Sequence, residues 1–349
     1  MIATHSELAA ILPQLATVDR VAIDTEADSL HCYFEKLCLV QMSFDGSDHL
    51  IDPLSELNLE PLAAALARKE IGLQCADFDL RLLRRSFNFV ADRVFDTVIA
   101  ARLLGIRAFS LAALVERYFG VTLVKGSQKA NWAQRPLPKA MADYAVNDTH
   151  YLLPLADYLE EELRERGRYE WFQQSCERGL TQASIERVRD GEEAWRITGA
   201  GTLPPRAAAV LRALWHWRDQ EAQTVDRPSF HILQNHLLVQ AAQSFDAGAV
   251  PEFRHLTYRR RRAFMEAAEH ALQLPEAEWP KRLRRAGVRT TQEMERTAES
   301  LRKRRDEKAA ELGIEASFIA PRATLESIAA DETRSATLLV PWQRQLLEA

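Results

Sequence analysis

The sequence predicts an α/β or α+β domain built on a mixed sheet, followed by an all-helical region. Three observations predict it. Strand-like runs come first, a single strand–helix unit follows them, and from Phe95 onward the pattern is almost wholly helical. In chain order, residues 20–24 (RVAID) form a short apolar strand that leads into a polar break. Residues 37–44 (LCLVQMSF) alternate, and residues 49–51 follow the turn signal Asp45-Gly46, which makes a hairpin. Within residues 57–68, Leu59, Leu62 and Leu66 recur at helical spacing. Residues 71–75 read as a short buried strand, and Leu80, Leu83 and Phe87 as the inner face of a further helix. Helical patterning then runs to about Arg178, with a looser stretch over residues 124–138.

The chain has 349 residues, roughly twice a typical domain, which favours two or three domains. The Gly- and Pro-containing stretch DGEEAWRITGAGTLPP marks a break, so the expected division is 1–190, a linker at 191–204, then 205–280 and 281–349. The last two carry a weak repeat. Trp217-Arg218-Asp219-Gln220-Glu221-Ala222, with Pro228-Ser229-Phe230 and Leu237-Leu238 after it, is echoed by Arg304-Arg305-Asp306-Glu307-Lys308-Ala309, Ser317-Phe318-Ile319 and Leu325. The offset is 87 or 88 residues, enough for each copy to be a small helical bundle.

With 47% apolar and 27% charged residues, the composition excludes a mostly disordered or collagen-like chain. The net charge of −5 excludes a basic nucleic-acid coat, but the charge is uneven. Residues 1–200 hold 22 Lys/Arg and 30 Asp/Glu, a balance of −8, whereas residues 201–349 hold 23 and 20, a balance of +3. An acidic body with a mildly basic tail is compatible with a nucleic-acid enzyme. Cys32, Cys38, Cys75 and Cys176 lack Cys-x-x-Cys spacing, so neither a disulfide framework nor a zinc ribbon is indicated. Residues 1–15 lack the basic and apolar regions of a secretory signal, and no apolar run is long enough to span a membrane. The expectation is a cytoplasmic protein with no membrane association and no obligate protein partner.

The chemistry rests on acidic residues at particular places. Asp24 and Glu26, two apart on a strand, project from the same face. Two such charges repel unless a cation lies between them. Asp77 is a candidate N-cap, which puts Asp79 in the first turn of the next helix. Asp96 before Thr97 reads as a cap or turn residue. Tyr144 and Asp148 stand at i, i+4 in a helix over about residues 139–153, which Pro154 kinks or ends, so hydroxyl and carboxylate share a face. Each signal alone has a bland reading as a solvated turn, a cap or a packing contact. Their order and element context make the combination specific.

On these residues the chain resembles the DEDD 3′→5′ exonuclease superfamily, in the Tyr-containing ribonuclease D subgroup. The similarity is carried by residues 23–31 and 33–41 around Asp24-Thr25-Glu26, by Phe95-Asp96-Thr97, by Asn131-Trp132-Ala133-Gln134-Arg135-Pro136-Leu137, and by residues 144–153. The repeat is similar to the helicase-and-RNase-D C-terminal (HRDC) module at Trp217-Arg218, Ala222 and Pro228. Asn131 departs from the family's usual Asp, and the second copy lacks the first copy's Trp and Pro. The resemblance implies a ribonuclease-H-like fold with HRDC bundles and 3′→5′ exoribonuclease activity on RNA with a free 3′ end, tRNA precursors among them. It implies two divalent ions, Mg²⁺ or Mn²⁺, held by Asp24, Glu26, Asp79 and Asp148. Asp24 would bridge them, and Tyr144 would orient the attacking water. Hard cations of this kind take oxygen ligands.

For RNA, the candidate contacts are Tyr33, Phe34 and Lys36, then Trp132 and Arg135, by stacking and phosphate pairing. In the tail they are Arg259 and Arg260 of the run 259–262, with Lys281-Arg282, Arg284-Arg285 and residues 302–305 behind them. The competing readings are a DNA 3′→5′ exonuclease of the same superfamily, a catalytically silent RNA-binding relative, and a helical interaction protein.

Overall fold

A computed structural model describes residues 1–124, 126–185, 191–281 and 291–348; Arg282, Arg284 and Arg285 of the basic tail lie outside them. Among the described residues no helix is long and apolar enough to cross a membrane. They form two compact units, one of residues 1–27, 37–185 and 291–348, the other of residues 28–36 and 191–281.

The first unit opens with α1 (His5–Ala16), started by a capping box. The Thr4 hydroxyl accepts from the Glu7 N–H, and the Glu7 carboxylate accepts from the Thr4 N–H at 3.0 Å. Strands β1 (Arg20–Ala27), β2 (Leu37–Phe44), β3 (Ser47–Ile51), β4 (Glu70–Leu73) and β5 (Arg93–Asp96) make one sheet in the order β3-β2-β1-β4-β5. β1, β2 and β3 are antiparallel, whereas β4 runs parallel to β1 and β5 parallel to β4. The parallel strands are joined through helices, with α2 (Glu60–Leu66) before β4 and α3 (Asp77–Phe87) between β4 and β5. β1 extends three residues beyond the expected Asp24. β5 takes the place of the helix expected from Phe95, with Val94 and Phe95 buried.

Asp96 then caps α4 (Thr97–Leu103), accepting from the Val98 N–H at 2.8 Å, as its position suggested. After α5 (Leu111–Phe119) the chain has no helix or strand among the described residues up to α6 (Lys139–His150), α7 (Leu152–Glu165) and α8 (Tyr169–Ser184). Pro154 falls in the first turn of α7, where a missing N–H costs nothing. Alternation along β1 sends Val21 and Ile23 into the main core, beside Met42 and Phe44 of β2. Leu39 belongs instead to a smaller cluster with Trp132, Met141 and Ala145.

The second unit contains α9 (Pro205–Thr224), α10 (Ser229–Ile232), α11 (Asn235–Asp246) and α12 (Tyr258–Leu272). Val210, Leu211, Leu214 and Trp217 of α9 meet Phe245 and Phe264 in one core, with the Trp217 and Phe264 rings 5.2 Å apart. Trp195, Ala200 and Leu203 are buried in that core too. The stretch 191–204 is therefore packed structure rather than the free linker its composition suggested. Residues 28–36, between β1 and β2, also belong to this unit: the Tyr33 hydroxyl donates to Asp219 at 2.9 Å, and the Tyr33 and Phe34 N–H groups donate to Asp226.

The closing helices α13 (Gln292–Leu312), α14 (Ala316–Ile319), α15 (Arg322–Ala330), α16 (Ser335–Leu338) and α17 (Pro341–Glu348) belong to the first unit. They do not form a separate core, as the division at 281 assumed. Ile319, Leu325 and Trp342 continue the core of the sheet, and the Trp342 indole stacks on Trp171 at 5.2 Å while its N–H donates to Ser175. A Cβ on Gly105 (φ +77°) would stand 2.3 Å from the Gly313 carbonyl oxygen, so only glycine allows that approach.

Candidate active site

Strand alternation does the first part of the positioning. Asp24 and Glu26 share one face of β1, and Thr25 between them turns to the other. Across the antiparallel pair, Asp24 stands opposite Gln41 and Glu26 opposite Leu39. Helix α6 lies over that face. Leu39 packs with Met141 and Ala145, with Tyr144 at the edge of the cluster, and Ser43 Oγ is 2.6 Å from Thr149 Oγ1. Ser43 donates to Asp48 at 2.6 Å, and His150 Nδ1 lies 2.8 Å from the other Asp48 oxygen. These bonds fix the last turn of α6 to the β2–β3 hairpin, and Asp148 with it. One carboxylate oxygen from each of Asp24, Glu26 and Asp148 lies within 4.8 Å of the others.

Asp79 comes from the first turn of α3, where it is buried. That helix begins at Asp77 itself, with Ala76 at the cap, so Asp77 does not serve as N-cap. Its carboxylate pairs with Arg81 at 2.9 Å. The Thr25 hydroxyl donates to Asp79, which ties the α3 acid to the strand carrying Asp24 and Glu26. Thr25 was missed in the sequence. Its signal is a polar residue at a core-facing strand position.

Among the described residues no Lys, Arg or His pairs with any of the four acids. Burial, then the charges of Asp79, Asp148 and Glu26, hold Asp24 well above the ordinary carboxylate range. Burial with Asp148 and Asp79 pushes Glu26 up to about 9. Burial raises Asp148 to about 7, against a hydrogen bond from Tyr144 that favours its ionised form. Burial also raises Asp79 to about 6, with the Thr25 bond opposing. The phenol of Tyr144 is raised as well, by burial and then by Asp148, Glu26 and Asp24. Asp24, Glu26 and Asp148, gathered without a protein countercharge, demand positive charge, and their donors are all hard oxygens; Asp79 lies outside that group of three, bonded to Thr25. That set fits a divalent ion such as Mg²⁺ or Mn²⁺.

A family model described as 3′-5′ exonuclease matches residues 1–164, and one described as HRDC domain matches residues 207–246. The ribonuclease D of Zymomonas mobilis is 35% identical over 251 residues, 69% of this chain and 63% of its own length. That of Cronobacter turicensis is 35% identical over 248 residues, 70% of this chain and 66% of its own. The chain is similar to ribonuclease D over its exonuclease and HRDC segments. It spans just under two thirds of the length of these curated relatives. The crystal structure of Escherichia coli RNase D shares the fold, with a TM-score of 0.74 over 100% of this chain and 98% of that one at 24% identity. The exonuclease match contains all five expected site residues, and the HRDC match runs from α9 through α11.

In this chain several expected RNA contacts are occupied otherwise. Trp132 is 1% exposed and lies 6.1 Å from the Tyr144 ring, so it braces that residue and offers no face to a base. Arg135 makes a two-bond pair with buried Asp52 at 2.6 and 2.7 Å and donates to the carbonyls of Cys38 and Trp132. Its guanidinium is a structural latch and is not available to a phosphate. Tyr33 is engaged by Asp219, and Lys36 stands 3.4 Å from Asp28. Phe34 is 58% exposed, so its ring is accessible. Arg259 and Arg260 both pair with Glu221, which offsets part of their charge. At the family's Asp position, Asn131 Oδ1 accepts from the Ala133 N–H at 3.1 Å, a turn that either residue type can make.

Proposed function

We propose that the protein is a 3′→5′ exoribonuclease that removes nucleotides as 5′-monophosphates from RNA 3′ ends, with two divalent cations, Mg²⁺ or Mn²⁺. The observation that carries this reading is the approach of Asp24, Glu26 and Asp148 within 4.8 Å, in a family whose name is exonuclease. Asp24 feels the charge of all three other acids, which supports a role in which it would serve both ions. Glu26 and Asp148 would complete one position and Asp79 would support the other. When bound, such ions activate water and neutralise charge on the attacking and leaving oxygens. Tyr144 keeps its proton, because burial and the acids beside it disfavour the phenolate. It therefore does not act as the base; its one hydroxyl proton, given to Asp148 in the metal-free site, would turn to orient the attacking water once a cation occupies Asp148.

Incubation with 5′-labelled RNA tests the reading. A ladder shortening from the 3′ end with Mn²⁺, and none with EDTA, is expected; no shortening with Mn²⁺ overturns it. A matched DNA oligomer cut equally fast would instead favour the DNA exonuclease. The Escherichia coli relative is an exoribonuclease involved in structured RNA processing. We extend that to this chain, with tRNA precursors as the substrate to try. The four free cysteines suit the reducing cytoplasm, where we place the activity.

A further inference from the structure

Strand β2 is buried along its whole length, and Gln41 stands near its middle between two partners, Asp24 of β1 and Leu50 of β3. Residues directly opposite on antiparallel strands present their side chains to the same face, with Cβ atoms about 4.5–5.5 Å apart. Gln41 and Asp24 are therefore cross-strand neighbours that leave the sheet on one face. The same-face neighbours of Gln41 along β2 are both accounted for. Leu39 packs against Met141 and Ala145, and Ser43 is bonded to Thr149. Helix α6 thus covers this face on either side of Gln41, and the residue has 0% exposure. Yet neither its Nε2 nor its Oε1 has a hydrogen-bond partner. Leaving both ends of a buried amide unmatched costs stability, and a leucine or methionine would fill the same space without that cost. A site that keeps glutamine here needs its donor for something the metal-free protein does not show.

We propose that Gln41 is a positioning residue of the cation site: its Nε2 donates to the Asp24 carboxylate and fixes the orientation in which Asp24 meets the divalent ions. The inference rests on the nuclease reading above. A donor on the neighbouring strand restricts rotation of the carboxylate, as outer partners of metal ligands do elsewhere. Losing such a partner typically lowers metal affinity by about 10–100-fold.

The test is Mn²⁺ titration calorimetry on chelator-treated wild type and Gln41→Met, with thermal melting of both metal-free proteins alongside. The expected result is a loss of Mn²⁺ affinity of about 10–100-fold in the variant, while its metal-free melting temperature stays equal or rises. The Mn²⁺ concentration for half-maximal RNA digestion should shift by the same factor. Unchanged Mn²⁺ affinity in a folded variant overturns the inference and leaves the nuclease reading standing. A clearly lower metal-free melting temperature also overturns it, since the amide would then be supporting the fold. A wild type that takes up no Mn²⁺ and digests no RNA removes both.

Discussion

Asp24 faces a second acid from its own strand and two more from separate helices, and burial adds to the cost of its charge. Replacing it should therefore have opposite effects on activity and on the metal-free fold. Asp24→Asn is expected to abolish hydrolysis, to leave RNA binding nearly intact, and to raise the melting temperature of chelated protein. Wild-type-like turnover by this variant with Mg²⁺ present would dispose of the assignment. Tyr144→Phe removes one hydrogen-bond donor and should slow turnover by about 10²–10⁴-fold under single-turnover conditions. The pH dependence of stability follows from the same acids. Each holds its proton to higher pH when folded than when unfolded, so the folded state binds more protons and stability falls as pH rises. For Glu26 the window runs from the ordinary 4.5 to about 9. Chelated protein should melt lower at pH 9 than at pH 5, and Mn²⁺ should restore more at the higher pH, where the ligands are ionised. A melting temperature that is flat across that range in chelator contradicts the electrostatic account.

Elements were legible where a period carried them. Alternation exposed β2, and the i, i+2 and i, i+4 rules put Asp24 with Glu26 and Tyr144 with Asp148 on common faces, as the structure has them. Helix α1 was not among the expected elements although Thr4 and Glu7 spell a capping box, since Pro13 inside it interrupts the helical pattern of Leu8, Ile11 and Leu15. β5 is four residues long, too short for alternation to distinguish it from a helix start. Trp132 and Arg135 were misjudged for a different reason. Whether an aromatic or a cation faces solvent depends on long-range partners such as Asp52 and Met141, which local spacing does not reveal. Arg135→Ala should accordingly cost about 2–4 kcal/mol in denaturant unfolding, since it leaves Asp52 buried without its partner. An RNA-contact role would instead lower the salt dependence of binding and leave stability unchanged.

The whole molecule shows the same division between local and distant information. The C-terminal helices themselves were predicted, but nothing in the repeat said that Trp342 and Leu325 would enter the core of the sheet-bearing unit. Trp342→Ala should therefore destabilise the unit that carries the four acids, by about 3–5 kcal/mol. Unfolding followed by tryptophan fluorescence and by loss of nuclease activity should shift together, and a variant as stable as wild type would contradict the shared core. The central claim concerns the four acids drawn together from one strand and two helices. Anomalous diffraction at the manganese edge, from crystals soaked in Mn²⁺, tests it most directly. The account predicts two peaks among Asp24, Glu26, Asp79 and Asp148, both lost in Asp24→Asn; a map with no peak there at saturating Mn²⁺ would contradict it.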